Sequence, residues 1–368
     1  MAVASNMTPV QARMNYLAQA VKRSQELPPQ IHQDNGVFNF SFPHAGVGRY
    51  ALVSFVGTIT RTEAAVVGTL AASPFFPLNV LSRVLLTDYT GTTRVNAKPW
   101  DLYQREILFN PGSDPALGDL TVQPYAAKIW AATLPVAPAA NASTTAPLIY
   151  SFKVPIALHD DTTEGSLPFA IPDGEVTLQL QGNALVGTTI DSPFSVTGTT
   201  TASITGTYYV TYHYYDAPNN VPLPMADFAV IHEIISTRQN TNIAAGQEKL
   251  FTLETGRTYY QLIQTFVANN APNILDVSRL KFLVDGNTPT MDEYQLSYLT
   301  RIRETLKRDL APGVISFNFF ARPWSPASYG SLAASLTLTP TIALGTAYWL
   351  DTMKETMYRA TSALQMAG

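Results

Sequence analysis

The chain contains no cysteine. Disulfide staples, thiolate nucleophiles and sulfur-ligated zinc are therefore excluded, and burial must stabilise the fold. Charge is scarce as well: Asp, Glu, Lys and Arg make up 14% of the residues, where roughly 25% is usual for a soluble domain. No apolar run reaches the roughly 18 residues that span a bilayer. The opening MAVASNMTPV lacks the charged-then-apolar layout of a signal peptide, so a soluble protein made in the cytoplasm is expected. A basic stripe is missing too. With a net charge of −4, binding to a phosphate backbone is disfavoured and no direct nucleic-acid partner is expected.

What is present is 46% hydrophobic residue and 26 prolines in 368 residues, too long for one ordinary core at roughly 150 residues per domain. Thr, Ser, Asn and Gln replace charge at the surface. Such a surface suits burial against other subunits, because few ions need desolvating.

Thr8-Pro9-Val10-Gln11 has the form of a capping box with proline at the first helical position, and Pro28-Pro29 is a stop signal, so a helix is expected over 9–27. Val10, Met14, Leu17 and Val21 share a stripe, with Arg13, Lys22 and Arg23 as its cations. The period then changes to two. VFNFSF places Phe38, Phe40 and Phe42 on one face, and strands are expected at YALVSFVGTIT, LSRVLLTD, LIYSFKVPIAL, EVTLQLQG and GTYYVTYHYYD. The last has aromatics on both faces, which implies that both are covered. Asp216 to Phe228 holds three prolines and no period and reads as a domain boundary. Strands resume after it, interrupted by one helix for which Thr290 to Glu293 offers a capping box and Leu299, Ile302, Leu306 and Leu310 a stripe.

One phrase occurs twice. SRVLLTD (82–88) and SRLKFLVD (278–285) each come after a long apolar strand and precede a turn and a segment rich in aromatic and charged residues. The order of parts implies two copies of one β-domain. The expected fold is all-β: two tandem eight-stranded jelly rolls, an N-terminal amphipathic helix and one helix inserted in each half. The expected layout is a helical arm (1–30), a first jelly roll with long loop insertions (31–216), a linker (217–227), and a second jelly roll with a C-terminal arm (228–368). The insertions, 110–147 with six prolines and 183–206, far exceed ordinary connections of roughly four to six residues and read as surface towers or binding loops.

The helix TPVQARMNYLAQAVKRSQ, the strand NVLSRVLLTDY leading into KPWDLY, the segment IYSFKVPIALHDDTTEGSLPFAIPDGEVTLQLQGN and the second sandwich with MDEYQLSYLTRIRETL together resemble the double jelly-roll major capsid proteins of tectivirus-type, tailless bacteriophages with an internal membrane. The resemblance implies a non-enzymatic major capsid protein in the virion. It implies homotrimers with a pseudo-hexagonal outline, contacts with neighbouring trimers and with vertex and minor capsid proteins, outward towers, and an N-terminal helix facing the lipid membrane. Arg13, Lys22, Arg23, Met14 and Leu17 would then be the membrane-facing residues. Three basic residues contribute only about 3 kcal/mol to an anionic surface, so such a foot works only in an array. Packing of the stripe on its own sandwich or a neighbour stands beside that reading.

Chemistry is thin elsewhere. Asp160, Asp161 and Glu164, beside His159, are the densest potential ligands and the candidates for a hard-cation site. The Asp-x-Asp-x-Asp-Gly spacing of a calcium loop is absent, so no metal and no cofactor is expected. GVGRYA (46–51) is followed by a strand where a dinucleotide fingerprint needs a helix. The five histidines are scattered, and His213 reads as an interior or interface residue. Trp100 and Trp324 are candidate sugar platforms, against which stands simple packing. Alternatives to the capsid reading are a β-sandwich glycan binder and a minor virion vertex or spike protein.

Overall fold

A computed structural model describes residues 7–109, 131–169, 174–241, 246–254, 256–269, 271–285, 288–306, 311, 313–319, 332–338 and 348–359. The chain divides into unit 1, Met1–Glu233 with Arg359–Gly368, and unit 2, Ile234–Tyr358. The division falls at Glu233/Ile234. Inside the stretch read as linker, Val221 and Asp227 are buried.

Unit 1 runs α1 (Pro9–Gln19), β1 (Val21–Glu26), β2 (Gln30–Ile31), β3 (Val37–Ser41), β4 (Val47–Thr62), β5 (Leu70–Ala72), β6 (Leu81–Thr87), β7 (Thr93–Ala97), α2 (Pro99–Phe109), β8 (Ala131–Ala132), β9 (Ser143–Pro155), β10 (Thr177–Gly182), β11 (Phe194–Val196), β12 (Thr201–Asp216) and α3 (Met225–Phe228). β13 (Val230–Thr241) starts in unit 1 and continues into unit 2, followed by β14 (Glu248–Leu253), β15 (Thr258–Ala268), β16 (Ala271–Pro272), β17 (Val277–Val284), β18 (Thr288–Tyr294), α4 (Gln295–Leu306), β19 (Val314–Asn318), β20 (Leu332–Leu338) and β21 (Tyr348–Arg359).

In unit 1 one sheet has the order β1-β12-β4-β9 and the other β7-β6-β10-β3. In unit 2 the corresponding orders are β13-β21-β15-β19 and β14-β20-β17-β18. Lettered B to I along the chain, both units are B-I-D-G against C-H-E-F, the strand order of a jelly roll. In both, a helix sits between F and G: α2 in unit 1 and α4 in unit 2.

The repeated phrase is strand E in each unit, β6 and β17. Gln181 and Gly182 of β10 pair with Arg83 and Leu81, which leaves Ser82 as the extra residue of a bulge. Leu338 and Thr337 of β20 pair with Val277 and Arg279, which leaves Ser278 in the same position. A bulge strands a polar backbone group. The Ser82 hydroxyl reaches the carbonyls of Gln181 and Gly182 at 3.2 Å, and the Ser278 hydroxyl reaches that of Thr337 at 3.1 Å. The phrases differ at their ends. Asp88 is buried and accepts from Thr90 and Thr92 backbone N–H groups, whereas Asp285 is exposed with φ +52°.

Alternation builds both cores. Phe38 and Phe40 of β3 face inward, as their period predicts, against Phe55, Tyr150 and Tyr208 of the other sheet; Phe38 and Tyr208 ring centroids lie 4.8 Å apart. Unit 2 packs Tyr259, Leu262, Phe266, Phe282, Tyr298, Phe317 and Leu350 together. On β12 only one face is aromatic and buried throughout; on the other, Tyr209 is exposed and Tyr215 buried, so the expectation of two covered faces is half right.

Two helix boundaries differ from expectation. α1 stops at Gln19 because Val21–Glu26 finds a partner, pairing residue for residue with Thr211–Asp216 of β12, and those ladder bonds outweigh weak helical propensity. Thr290 and Glu293 do not cap a helix but lie in β18, paired to β17, and α4 begins at Gln295. Leu310 lies outside the described residues.

Candidate functional site

A network of ion pairs concentrates where the N-terminal segment crosses unit 1. Thr8 and Gln11 form the expected capping box. The packed face of α1 is not the predicted stripe but one turned toward Arg13, Tyr16 and Ala20. Tyr16 is buried against Val47, Tyr215, Val221 and Phe228, with Leu17 and Ala20 partly buried beside it, while Val10 and Met14 are each 63% exposed. Arg13 anchors this face. Its Nε and Nη2 donate to Asp227 Oδ2 and Oδ1 at 2.8 and 2.6 Å, and Nη1 to Glu164 Oε2 at 3.1 Å. Asp227 is buried and also accepts from Thr163 Oγ1 at 2.5 Å. The hydrogen bond that Arg13 donates to Asp227 raises the Arg13 pKa above its ordinary value, against the desolvation that lowers it. Burial pushes the Tyr16 hydroxyl up to about 12.

The acidic loop supplies further anions to this network. Lys22 Nζ meets Asp161 Oδ1 at 2.6 Å, and Lys153 Nζ meets Asp160 Oδ2 at 2.5 Å and Glu106 Oε1 at 3.0 Å. Arg49 donates to the Asp160 carbonyl at 2.8 Å. The Lys22 hydrogen bond lowers the Asp161 pKa. Among the described residues no group of three or more His, Asp or Glu is arranged to hold a metal ion. Asp160, Asp161 and Glu164 are each taken by a cation of the same unit.

The five residues named as membrane-facing therefore separate. Arg13 and Leu17 turn into unit 1. Met14 is at the surface, as are Lys22 and Arg23, which pair with Asp161 and with Asp216 at 2.7 Å. Among the described residues no helix is long and apolar enough to cross a membrane.

On the outer face of β4 and β9, under α2, a cleft of about 230 Å³ is lined by Tyr50, Leu52, Tyr103, Glu106, Ser151 and Lys153. His213 stacks on Tyr50 at 4.4 Å and is half-buried. Trp100 packs 4.9 Å from Phe75 inside unit 1, which is the packing reading rather than a sugar platform. Trp324 lies outside the described residues. Gly46 has φ +66°, and a Cβ there would stand 2.4 Å from the Tyr215 carbonyl, so this glycine serves close backbone approach before β4.

Three surface loops of unit 1 are tied together at their bases. Glu63, buried, takes the Arg61 Nε at 2.7 Å, the Gly68 N–H at 3.0 Å and the Thr200 hydroxyl at 2.8 Å. Desolvation pushes the Glu63 pKa up, but these bonds win and hold it below its ordinary value. Glu63 N–H donates to the Ala142 carbonyl, and β5 pairs with β11. Above this pair the tips carry Val66, Val67 and Val136 in exposed positions. No charged residue occurs in 64–82 or 131–152.

Sequence reasoning missed Asp227 and the Arg61–Glu63 pair. An aspartate inside a proline-rich stretch of a charge-poor chain was a signal for the first. Opposite charges two apart at the end of a strand, where extended backbone turns them to one side, were a signal for the second.

No family model matches the chain, and no curated protein sequence does. Solved structures do. The major capsid protein of Sulfolobus turreted icosahedral virus superposes with a TM-score of 0.67 at 13% identity, covering 95% of this chain and 99% of that one. VP54 of the virus PBCV-1 gives 0.59 at 12%, covering 93% and 95%. The major capsid protein of bacteriophage PM2 gives 0.52 at 6%, covering 93% and 98%. At these identities the likeness is one of fold: two jelly rolls in one chain, matched end to end.

Proposed function

We propose that this chain is a major capsid protein, a structural and non-catalytic subunit that assembles as a trimer and tiles an icosahedral shell. The observation that carries the reading is the pair of complete B-to-I jelly rolls in one polypeptide, matched over nearly the full length of three viral major capsid proteins. A charge-poor chain supports it, because subunit burial then desolvates few ions. Three chains of two similar units supply six similar blocks around one axis.

Contact with an internal membrane is part of the proposal, and the exposed side chains of the N-terminal segment are the ones proposed to make it. Met7, Val10 and Met14 form the exposed apolar row of the N-terminal segment, whereas Arg13 is held by Asp227. Contacts with vertex and minor capsid proteins belong to the same reading.

Mass measurement of the purified chain at micromolar concentration tests it, with negative-stain microscopy of the same sample. Trimers of hexagonal outline are expected, with an interface above roughly 2,000 Å². A stable monomer sinks the proposal.

A further inference from the structure

The two units end in unlike free edges. Strand β1 is the last strand of its sheet; it pairs with β12 on one side, and among the described residues nothing pairs with the other. All six of its residues are exposed, on both faces. Strand β18 is likewise last in its sheet, paired among the described residues to β17 alone. A free edge is a row of unpaired N–H and C=O groups, which templates a further strand.

Charge decides which strand. β1, VKRSQE, carries two cations and one carboxylate, and β18, TPTMDEY, carries two carboxylates and no cation. Such charges are also what lone edges use to stay unpaired. Here, however, the signs are opposite, so β1 repels β1 and β18 repels β18 while the unlike pair attracts. Their present partners do not forbid exchange. On β1, Lys22 and Arg23 meet Asp161 and Asp216, and on β18, Asp292 and Glu293 meet Arg279 and Arg301 of their own unit; the four cations are 40–57% exposed, and pairs this open to water contribute little.

We propose that β18 of one copy adds along the free edge of β1 of the next, joining strand F of unit 2 to strand B of unit 1 in a continuous intermolecular sheet. The two strands come from different units, so the contact is heterologous, and heterologous contacts close into rings where the rotation permits. The proposal rests on the shell-subunit reading and names its contact.

The absence of cysteine makes the test clean, because introduced thiols are the only thiols. Four full-length double variants combine Ser24→Cys or Gln25→Cys with Thr290→Cys or Tyr294→Cys, so that alternative registers are sampled. Gln25→Cys with Val136→Cys, at an exposed loop position of unit 1, serves as the control. Each is treated with a short bismaleimide and run on a denaturing gel beside a native mass measurement. Bands of two and three chains are expected from at least one β1–β18 combination and none from the control. Oligomers by native mass with single-chain bands in all four variants would overturn the edge pairing and leave the shell-subunit reading standing. Bands as strong from the control would also overturn it, and single-chain native mass would remove both readings. A charge swap gives a second readout: Lys22→Glu with Arg23→Glu should cut the oligomer fraction at least tenfold, and adding Asp292→Lys with Glu293→Lys should restore it. Failure of that rescue counts against the pairing.

Discussion

Unit 1 and unit 2 thread the same eight strands in the same order, yet they are dressed differently. Unit 1 carries the N-terminal segment, the loops around β5 and β11, and every histidine of the chain. Among its described residues unit 2 goes from strand to strand with one helix, α4. Within that helix Tyr298 binds strand G from both sides, its hydroxyl accepting from Ser316 N–H at 2.5 Å and donating to the Ser316 carbonyl at 3.2 Å. The α2 helix of unit 1 meets strand G through a charge instead, Glu106 on Lys153. The shared feature lies in the backbone: strand order, and a serine bulge opposite strand H. What differs is whatever faces outward. Topology and the bulge constrain a few residues tightly, while the helix between F and G can be fastened by any chemistry that reaches the next strand.

The comparison can be broken most forcefully in the cores. Phe55 and Phe282 are both buried, at 0% and 1% exposure, and truncating either to alanine costs about 3–5 kcal/mol by lost burial and cavity formation. Hydrogen exchange resolved by peptide should show Phe55→Ala loosening unit 1 and Phe282→Ala loosening unit 2. Equal loss of protection in both units from either variant would show one cooperative body instead of two.

The next largest effect belongs to unit 1 alone. Arg13→Ala leaves the Asp227 carboxylate, 3% exposed, without its guanidinium. Breaking a buried pair typically costs about 3–5 kcal/mol, and with Arg13 partly open to water about 2–3 kcal/mol is expected. Limited proteolysis should then cut near α1 while unit 2 keeps its protection. Asp227→Asn, which removes the charge and keeps the shape, should cost less than Arg13→Ala. If it costs more, the pair is not what pins the segment.

A smaller and deliberately equal effect is expected from Ser82→Ala and Ser278→Ala. Each removes a hydroxyl bond from the bulged serine to a carbonyl of strand H, worth about 0.5–1.5 kcal/mol. Matching losses in denaturant unfolding would sharpen the claim that the repeated phrase marks one structural device used twice. A cost in one unit and none in the other would reduce the match to a resemblance of letters.

Much of this fold is legible in the residues alone, and the reason is periodicity. Phe38, Phe40 and Phe42 announce a half-buried strand because alternation is a local property, and the Ser-Arg phrase announces strand E twice. The start of α1 is legible because a capping box is local too. Its end is not, since Val21–Glu26 becomes a strand only by finding β12, far away in sequence. Thr290 misleads for the same reason: β17 offers its segment a partner. Among candidate site residues, Arg13 stands out as a cation without any sign that its partner is Asp227, 214 positions away. Asp160, Asp161 and Glu164 stand out as a cluster, but only the fold shows that Lys153, Lys22 and Arg13 arrive to meet them.

The mildest perturbation, and the most selective, is acid. His32, His44, His159, His213 and His232 all fall in unit 1 and none in unit 2. His32 has no exposed side-chain surface; its ring lies 3.1 Å from the Tyr208 hydroxyl and 3.1 Å from Asp34 Oδ1. Burial lowers its pKa, with Asp34 opposing. For His213 burial again lowers the pKa, helped by Arg49 and Lys153 and opposed by Asp160. With the folded values below the unfolded one near about 6.5, the unfolded chain takes up protons first. Stability from these two groups is therefore complete above the unfolded value and is lost as pH falls through it toward the folded values. Hydrogen exchange between about pH 7.5 and 5.5, a window above ordinary carboxylate titration, should show unit 1 losing protection while unit 2 holds. His32→Gln should flatten that response. If unit 2 loosens as much as unit 1, or if the response survives His32→Gln with His213→Gln unchanged, the histidines are not what makes the two jelly rolls unequal in acid.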